Sequence, residues 1–120
     1  MRIEDVYQYF QNPPITYLNQ ELAVCYVLSV LQKGDSYGTE LILLLERDNS
    51  TYRLSDTVLY GALKFLEHEE VITGYWKKLE GRGRPRRMYQ IVPQAQSQAE
   101  DLARLWQRYM VERNRCTPVE

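Results

Sequence analysis

Between Lys77 and Arg87, eleven residues carry six cationic side chains, Lys77, Lys78, Arg82, Arg84, Arg86 and Arg87, against one acid, Glu80. The whole chain holds 15 Lys and Arg against 16 Asp and Glu, a formal net charge of −1. The remainder is therefore acidic, and the cationic charge is gathered in one place. A polyanion feels such a patch within a Debye length of about 8–10 Å, so distribution outweighs the sum. Gly81, Gly83 and Pro85 interleave the arginines, and glycine lets a hairpin tip turn tightly and approach a groove. Arginine forks suit phosphates by bidentate contact, or the electronegative minor groove of A·T-rich DNA. The tetrad Arg82-Gly83-Arg84-Pro85 matches the core of the AT-hook, a short minor-groove-binding segment, although AT-hooks are usually disordered tails. A solvated charge run is the plainer alternative.

A second constellation lies just upstream. Ser55, Thr57 and Tyr60 sit at the start of an apolar-periodic stretch, with Lys64 one turn further on and Leu59, Leu63 and Leu66 on the opposite side. The N-terminal side chains of a recognition helix reach base edges, and its free N–H groups favour a phosphate. The same pattern also suits an ordinary packed helix whose cap is Ser55 or Asp56. Glu67, His68, Glu69 and Glu70 make the far end acidic, and it is expected to point away from a duplex.

Other chemistries find little support. The one histidine stands among glutamates, and Cys25 and Cys116 match neither zinc-ligand spacing nor a disulfide framework, so no metal, cofactor or catalytic site is expected and a reducing cytoplasm is. No serine or cysteine lies in a nucleophile motif, and Gly81 and Gly83 do not open a helix as a phosphate-cradling loop would. No apolar run approaches the roughly 20 residues that span a bilayer, and the N-terminus has no secretory leader pattern. Hydrophobic residues at 44% and charged residues at 26% suit one ordinary globular domain.

The elements that must position these residues follow from periodicity. Ile3, Val6, Tyr7 and Phe10 are at helical spacing, and Asn12-Pro13-Pro14 ends that helix. Asn19 caps a second helix, apolar on nearly every side from Leu22 to Leu31, which marks a core helix. Gly34-Asp35-Ser36 is read as a turn and cap before a third helix from about Tyr37 to Arg47, followed by a turn at Asp48-Asn49-Ser50. The fourth helix runs from Ser55 or Asp56 to about Glu69. Val71–Leu79 and Arg86–Val92 read as two strands around the charged loop, and Pro93–Arg115 as one long helix. The expected fold is mainly α with a small antiparallel β-hairpin (α+β): a winged helix-turn-helix with added N- and C-terminal helices. The expected divisions are 1–18, 19–92 and 93–120.

The last helix aligns Ala99, Leu102, Trp106, Tyr109 and Arg113, with Leu105 and Met110 alongside. This near-heptad stripe fits one helix–helix seam, either on the chain's own core or on a second copy. A small winged domain has little spare surface for two added helices, so a homodimer is expected through Leu102, Leu105, Trp106 and Tyr109, joined by Val6, Tyr7 and Phe10.

The residues Tyr37-Gly38-Thr39-Glu40-Leu41, the run from Leu54 to Glu67, Val71-Ile72, Tyr75-Trp76 and the segment Gly81 to Tyr89 together resemble the PadR-like family of bacterial transcriptional regulators, over roughly residues 22–92. The resemblance implies a sequence-specific regulator, a repressor acting as a homodimer on double-stranded promoter DNA. The N-terminal extension, the arginine-rich wing and the long last helix resemble a branch of that family linked to circadian clock gene control. Some relatives hold small molecules at the dimer interface, for which Trp106 is the candidate here; no effector is identified. The family usually has glycine where Glu70 stands, so a differently shaped turn is expected there, and Val92 and Ala95 replace a threonine and glycine that often follow the second strand. The rival to DNA reading is a winged helix used for protein contact, which the acidic balance favours and the basic wing opposes.

Overall fold

The computed structural model describes residues 1–11, 14–78 and 83–115 of the chain. Among these residues the order is α1 (Ile3–Gln11), β1 (Thr16–Tyr17), α2 (Gln20–Leu31), β2 (Ser36–Tyr37), α3 (Gly38–Asp48), β3 (Tyr52–Arg53), α4 (Asp56–His68), β4 (Ile72–Lys77), β5 (Arg86–Ile91) and α5 (Gln96–Arg115). A 3-10 turn at Pro93–Ala95 precedes α5, because the proline at its start suits a first turn that needs no N–H.

The apolar α2 is the centre of the molecule. Asn19 caps it by accepting the Leu22 N–H at 2.8 Å, leaving Ala23, Val24, Val27, Leu28 and Leu31 buried. The helix packs against α4 on one flank and α5 on another. Tyr26 is buried within the same helix, and its hydroxyl donates to the Leu41 carbonyl of α3 at 2.5 Å, so the phenol enters the core without an orphaned donor.

The α5 contacts correct one expectation. The stripe assigned to a second copy lies on this chain's own α2. Ala99, Ala103 and Trp106 are buried, and Leu102 and Tyr109 pack against the core. Trp106 meets Tyr26 edge-on at 5.3 Å and stacks with Tyr109 at 6.0 Å. The physical reason is that a helix apolar all round needs cover on more than one side, and the small Ala99 and Ala103 let α5 come close. Leu105 stays half exposed, and every residue of α1, including Val6, Tyr7 and Phe10, is exposed.

The wing is an antiparallel pair, β4 and β5, in the register Gly74↔Tyr89, Trp76↔Arg87 and Lys77↔Arg86. The hairpin expectation omitted a third strand. β2 pairs with β5 through Ser36↔Tyr89 and Tyr37↔Met88, and β1 runs parallel to β3 through Thr16↔Tyr52. Two-residue strands carry no periodic signal, so only tertiary pairing defines them.

The turn after α4 keeps the left-handed shape that glycine usually supplies. Glu70 has φ of 60°. Its N–H donates to the Glu67 carbonyl at 3.0 Å, and the Val71 N–H to the Leu66 carbonyl at 2.9 Å. This is a Schellman cap, completed by apolar Leu66 and Val71. The expectation of a differently shaped turn is therefore corrected: helix-end hydrogen bonds and buried Leu66 hold the geometry, and the glutamate adopts it.

Candidate nucleic-acid interface

Helices α3 and α4 form the helix-turn-helix pair, and Ser55 starts the second. Its side chain accepts the Val58 N–H at 3.2 Å, so that hydroxyl oxygen serves as the cap and Asp56 lies in the first turn. The side chains at 57, 60, 64 and 67 then recur at intervals of three, four and three, which places them on one helix face. Thr57, Tyr60 and Lys64 are exposed on it, while Leu59, Leu63 and Leu66 are buried behind.

The wing arginines part ways at the sheet. Successive strand residues point to opposite faces, so Arg86 and Arg87 make different contacts. Arg86 stacks over the Tyr37 ring at 3.8 Å. Arg87 turns towards α4, where its Nη2 donates to Glu67 Oε2 at 3.4 Å and its guanidinium lies 5.3 Å from the Trp76 ring. Burial raises the Tyr89 phenol above its ordinary range, and the Glu67 carboxylate adds to the rise, while the hydrogen bond with Arg87 opposes both. Lys77, Lys78 and Arg84 are exposed; Arg82 lies outside the described residues. Lys77 stands directly opposite Arg86 across the hairpin, an arrangement of like charges that is unfavourable unless an anion joins it.

Recognition helix and wing meet at one cleft of about 380 Å³, lined by Gly38 and Thr39 of α3, Tyr60 of α4, and Arg84, Arg86 and Arg87 of the wing. No side chain caps α3, whose N-cap residue is Tyr37, so its first-turn N–H groups add positive dipole at this wall. Sequence reasoning located Tyr60 and the arginines but missed Gly38, Thr39 and Tyr37 as their neighbours. It read Glu67 only as part of an acidic helix end, not as the partner of Arg87, and it missed Gly74, although a glycine inside a strand signals close approach by another group.

A separate cleft of about 670 Å³ lies between α2, α3 and α5, with Tyr26, Trp106 and Met110 among its walls. Among the described residues no group of three His, Cys, Asp or Glu is arranged to hold a metal, and no helix is long and apolar enough to cross a membrane.

Comparison with known proteins agrees with this arrangement. The profile of the transcriptional regulator PadR-like family matches residues 27–101. The crystal structure of the circadian clock associated protein Pex from Anabaena is 69% identical, with a TM-score of 0.83, covering 95% of this chain and 99% of that one. Pex from Synechococcus is 63% identical with a TM-score of 0.86, covering 92% and 99%. Bacillus subtilis PadR, solved in complex with operator DNA, shares the fold at 20% identity and a TM-score of 0.57, over 65% of this chain and 43% of that one. A comparison with curated proteins gives no match. The chain belongs to the PadR-like family and is a transcriptional regulator, not an enzyme.

Proposed function

We propose that this regulator reads double-stranded promoter DNA as a homodimer and represses transcription by occupying sites that polymerase or an activator needs. The observation that carries the reading is the shared cleft: Tyr60 on α4 and Arg84 and Arg86 on the wing line the same wall, so one duplex can touch both. Thr57 and Tyr60 would meet base edges, and Lys64, Lys77, Lys78 and Arg84 would meet phosphates, with α3 crossing the backbone. Arg82 joins them by sequence. The exposed apolar face of α1, with Leu105, supplies the dimer contact, and two-fold symmetry then calls for a roughly palindromic operator. Pex from Anabaena is a circadian clock associated protein, and the likeness to it supports clock genes as targets.

The experiment is selection of bound fragments from random DNA, followed by a salt titration on the winner. A DNA reader loses affinity with a log–log slope of about −0.9 per phosphate neutralised. Failure to enrich any sequence, or binding that ignores salt, would favour a protein-contact module instead.

A further inference from the structure

Where the wing meets the end of α4, Arg87 borders the cleft and also makes a set of contacts within the protein. Its Cζ, Nε and Nη2 atoms lie 2.7 Å from the place a Cβ on Gly74 would occupy, so the guanidinium rests on bare backbone. Its Cζ is 5.3 Å from the Trp76 ring centroid and 5.9 Å from that of Tyr89. One edge pairs with Glu67 at 3.4 Å. A flat, forked cation fits this slot in a way an ammonium does not.

Glu67 gives the contact its meaning. It continues the face that carries Thr57, Tyr60 and Lys64, and it stands at the negative end of α4 next to acidic Glu69 and Glu70. An unpartnered carboxylate there would repel a phosphate backbone. Both side chains are about one-third exposed, so the ion pair alone is weakly held. The two rings and the missing Cβ at Gly74 supply the rest of the fit.

We propose that Arg87 is a positioning residue: laid over Gly74 against Trp76 and joined to Glu67, it fixes the wing to the recognition helix and neutralises the acid at the far end of that face. Arg84, Arg86 and Lys77 are then left to meet phosphates. This inference rests on the DNA-reading function proposed above. Removing the acid, as in Glu67→Gln, weakens specific binding, because the orientation of the wing is lost along with the charge.

The test is binding of the full chain to its selected DNA fragment at several salt concentrations. Arg87→Gln, Glu67→Gln and Gly74→Ala should each bind about tenfold more weakly while keeping the parent's salt slope. The Arg87→Gln/Glu67→Gln double variant should be no weaker than either single one, as for two members of one unit. Arg84→Ala should instead flatten the slope by about 0.9. A slope flattened equally by Arg87→Gln would overturn the proposal, since Arg87 would then meet a phosphate. So would tighter binding with a steeper slope in Glu67→Gln, which would make Arg87 a masked DNA contact. Amide exchange on the free protein reads the tie without DNA. Arg87→Gln and Glu67→Gln should both speed exchange at Trp76 and Lys77 and leave α2 unchanged. Unchanged wing exchange removes the tie, whereas a parent protein that binds no DNA removes only the function it serves.

Discussion

The Tyr60 hydroxyl lies 2.6 Å, and its Cζ 3.2 Å, from the position a Cβ on Gly38 would occupy. The first residue of α3 is therefore bare where the tyrosine of α4 that is proposed to face DNA lies across it. Two stretches that look separate in sequence meet here, through Gly38 on one and Leu59-Tyr60 on the other. That contact orients the ring at the cleft rather than filling the core, because Tyr60 remains 48% exposed.

Gly38→Ala should accordingly separate binding from stability. The added methyl meets the far end of a side chain that can swing outward, and alanine is the better helix former by about 0.5–1 kcal/mol. Thermal unfolding should change by no more than about 1 kcal/mol in either direction. Affinity should fall and the selected sequence should shift, because Tyr60 has been displaced. Selection repeated with the variant checks this, and an unchanged preference would mean that Tyr60 does not read bases.

At Glu70 the direction reverses, and substitution should strengthen the fold. A residue with a Cβ in the left-handed region costs roughly 1–2 kcal/mol, and part of any gain is lost to the freer unfolded chain of glycine. Glu70→Gly should therefore stabilise by about 1 kcal/mol, raising the midpoint by roughly 4 °C. Glu70→Ala should gain nothing, since its Cβ meets the same clash. Calorimetry on the three proteins decides the matter.

How much of this was legible in the sequence depended on the range of the determining contacts. The caps at Asn19 and Ser55 and the all-round apolar α2 are local patterns, and they stand where sequence reasoning put them. The gathering of cationic charge between Lys77 and Arg87 was equally plain in the composition, and residues 79–82 of that stretch lie outside those described. The different contacts of Arg86 and Arg87 were not plain, because they depend on hairpin register, and a shift of one residue exchanges the two faces. The partner of the α5 stripe was unreadable for a related reason: periodicity shows that a face will be covered but not by what. Gly74, Gly38 and Glu70 form a third kind, in which meaning comes only from what approaches the backbone or from the φ it adopts.

The reassignment of α5 separates two neighbouring residues sharply. Trp106 is 6% exposed between Tyr26 and Tyr109, and Leu105 beside it is 50% exposed. Trp106→Ala should destabilise by about 3–5 kcal/mol, the usual effect of emptying a large aromatic site. Leu105→Ala should change monomer stability by about 0.5 kcal/mol or less. Urea unfolding of both variants at low protein concentration makes the comparison.

Buried phenols set the alkaline limit. Burial pushes Tyr26 above its ordinary value of 10.0, and the Asp48 charge adds to the rise; burial also raises Tyr89. Both groups favour the neutral form in the folded state. Their contribution is complete below the unfolded value, and it falls as pH rises past 10 because the unfolded chain releases its protons first. Stability should be insensitive to these groups at neutral pH and drop steeply above pH 10. Tyrosinate absorbance should appear together with loss of helical circular dichroism. Tyr26→Phe should be less stable at neutral pH by about 1 kcal/mol through the lost hydrogen bond to Leu41, and its alkaline decline should be shallower.

The dimer proposal is tested most directly on α1. Tyr7 is 66% and Phe10 68% exposed, and among the described residues no side chain of this helix is buried. Apolar area of that kind gains about 25 cal/mol per Å² when covered, so leaving it in water forgoes stability that association would recover. Because α1 contributes nothing to the monomer core, Phe10→Asp should leave the unfolding midpoint at low concentration nearly unchanged. It should shift the sedimentation of the full chain from dimer towards monomer, and DNA binding should weaken with it, since two half-sites would no longer be held by one particle. A parent protein that sediments as a monomer at micromolar concentration would contradict the homodimer. A Phe10→Asp variant that remains fully dimeric would move the interface away from α1, leaving the exposed Leu105 edge of α5 to carry it.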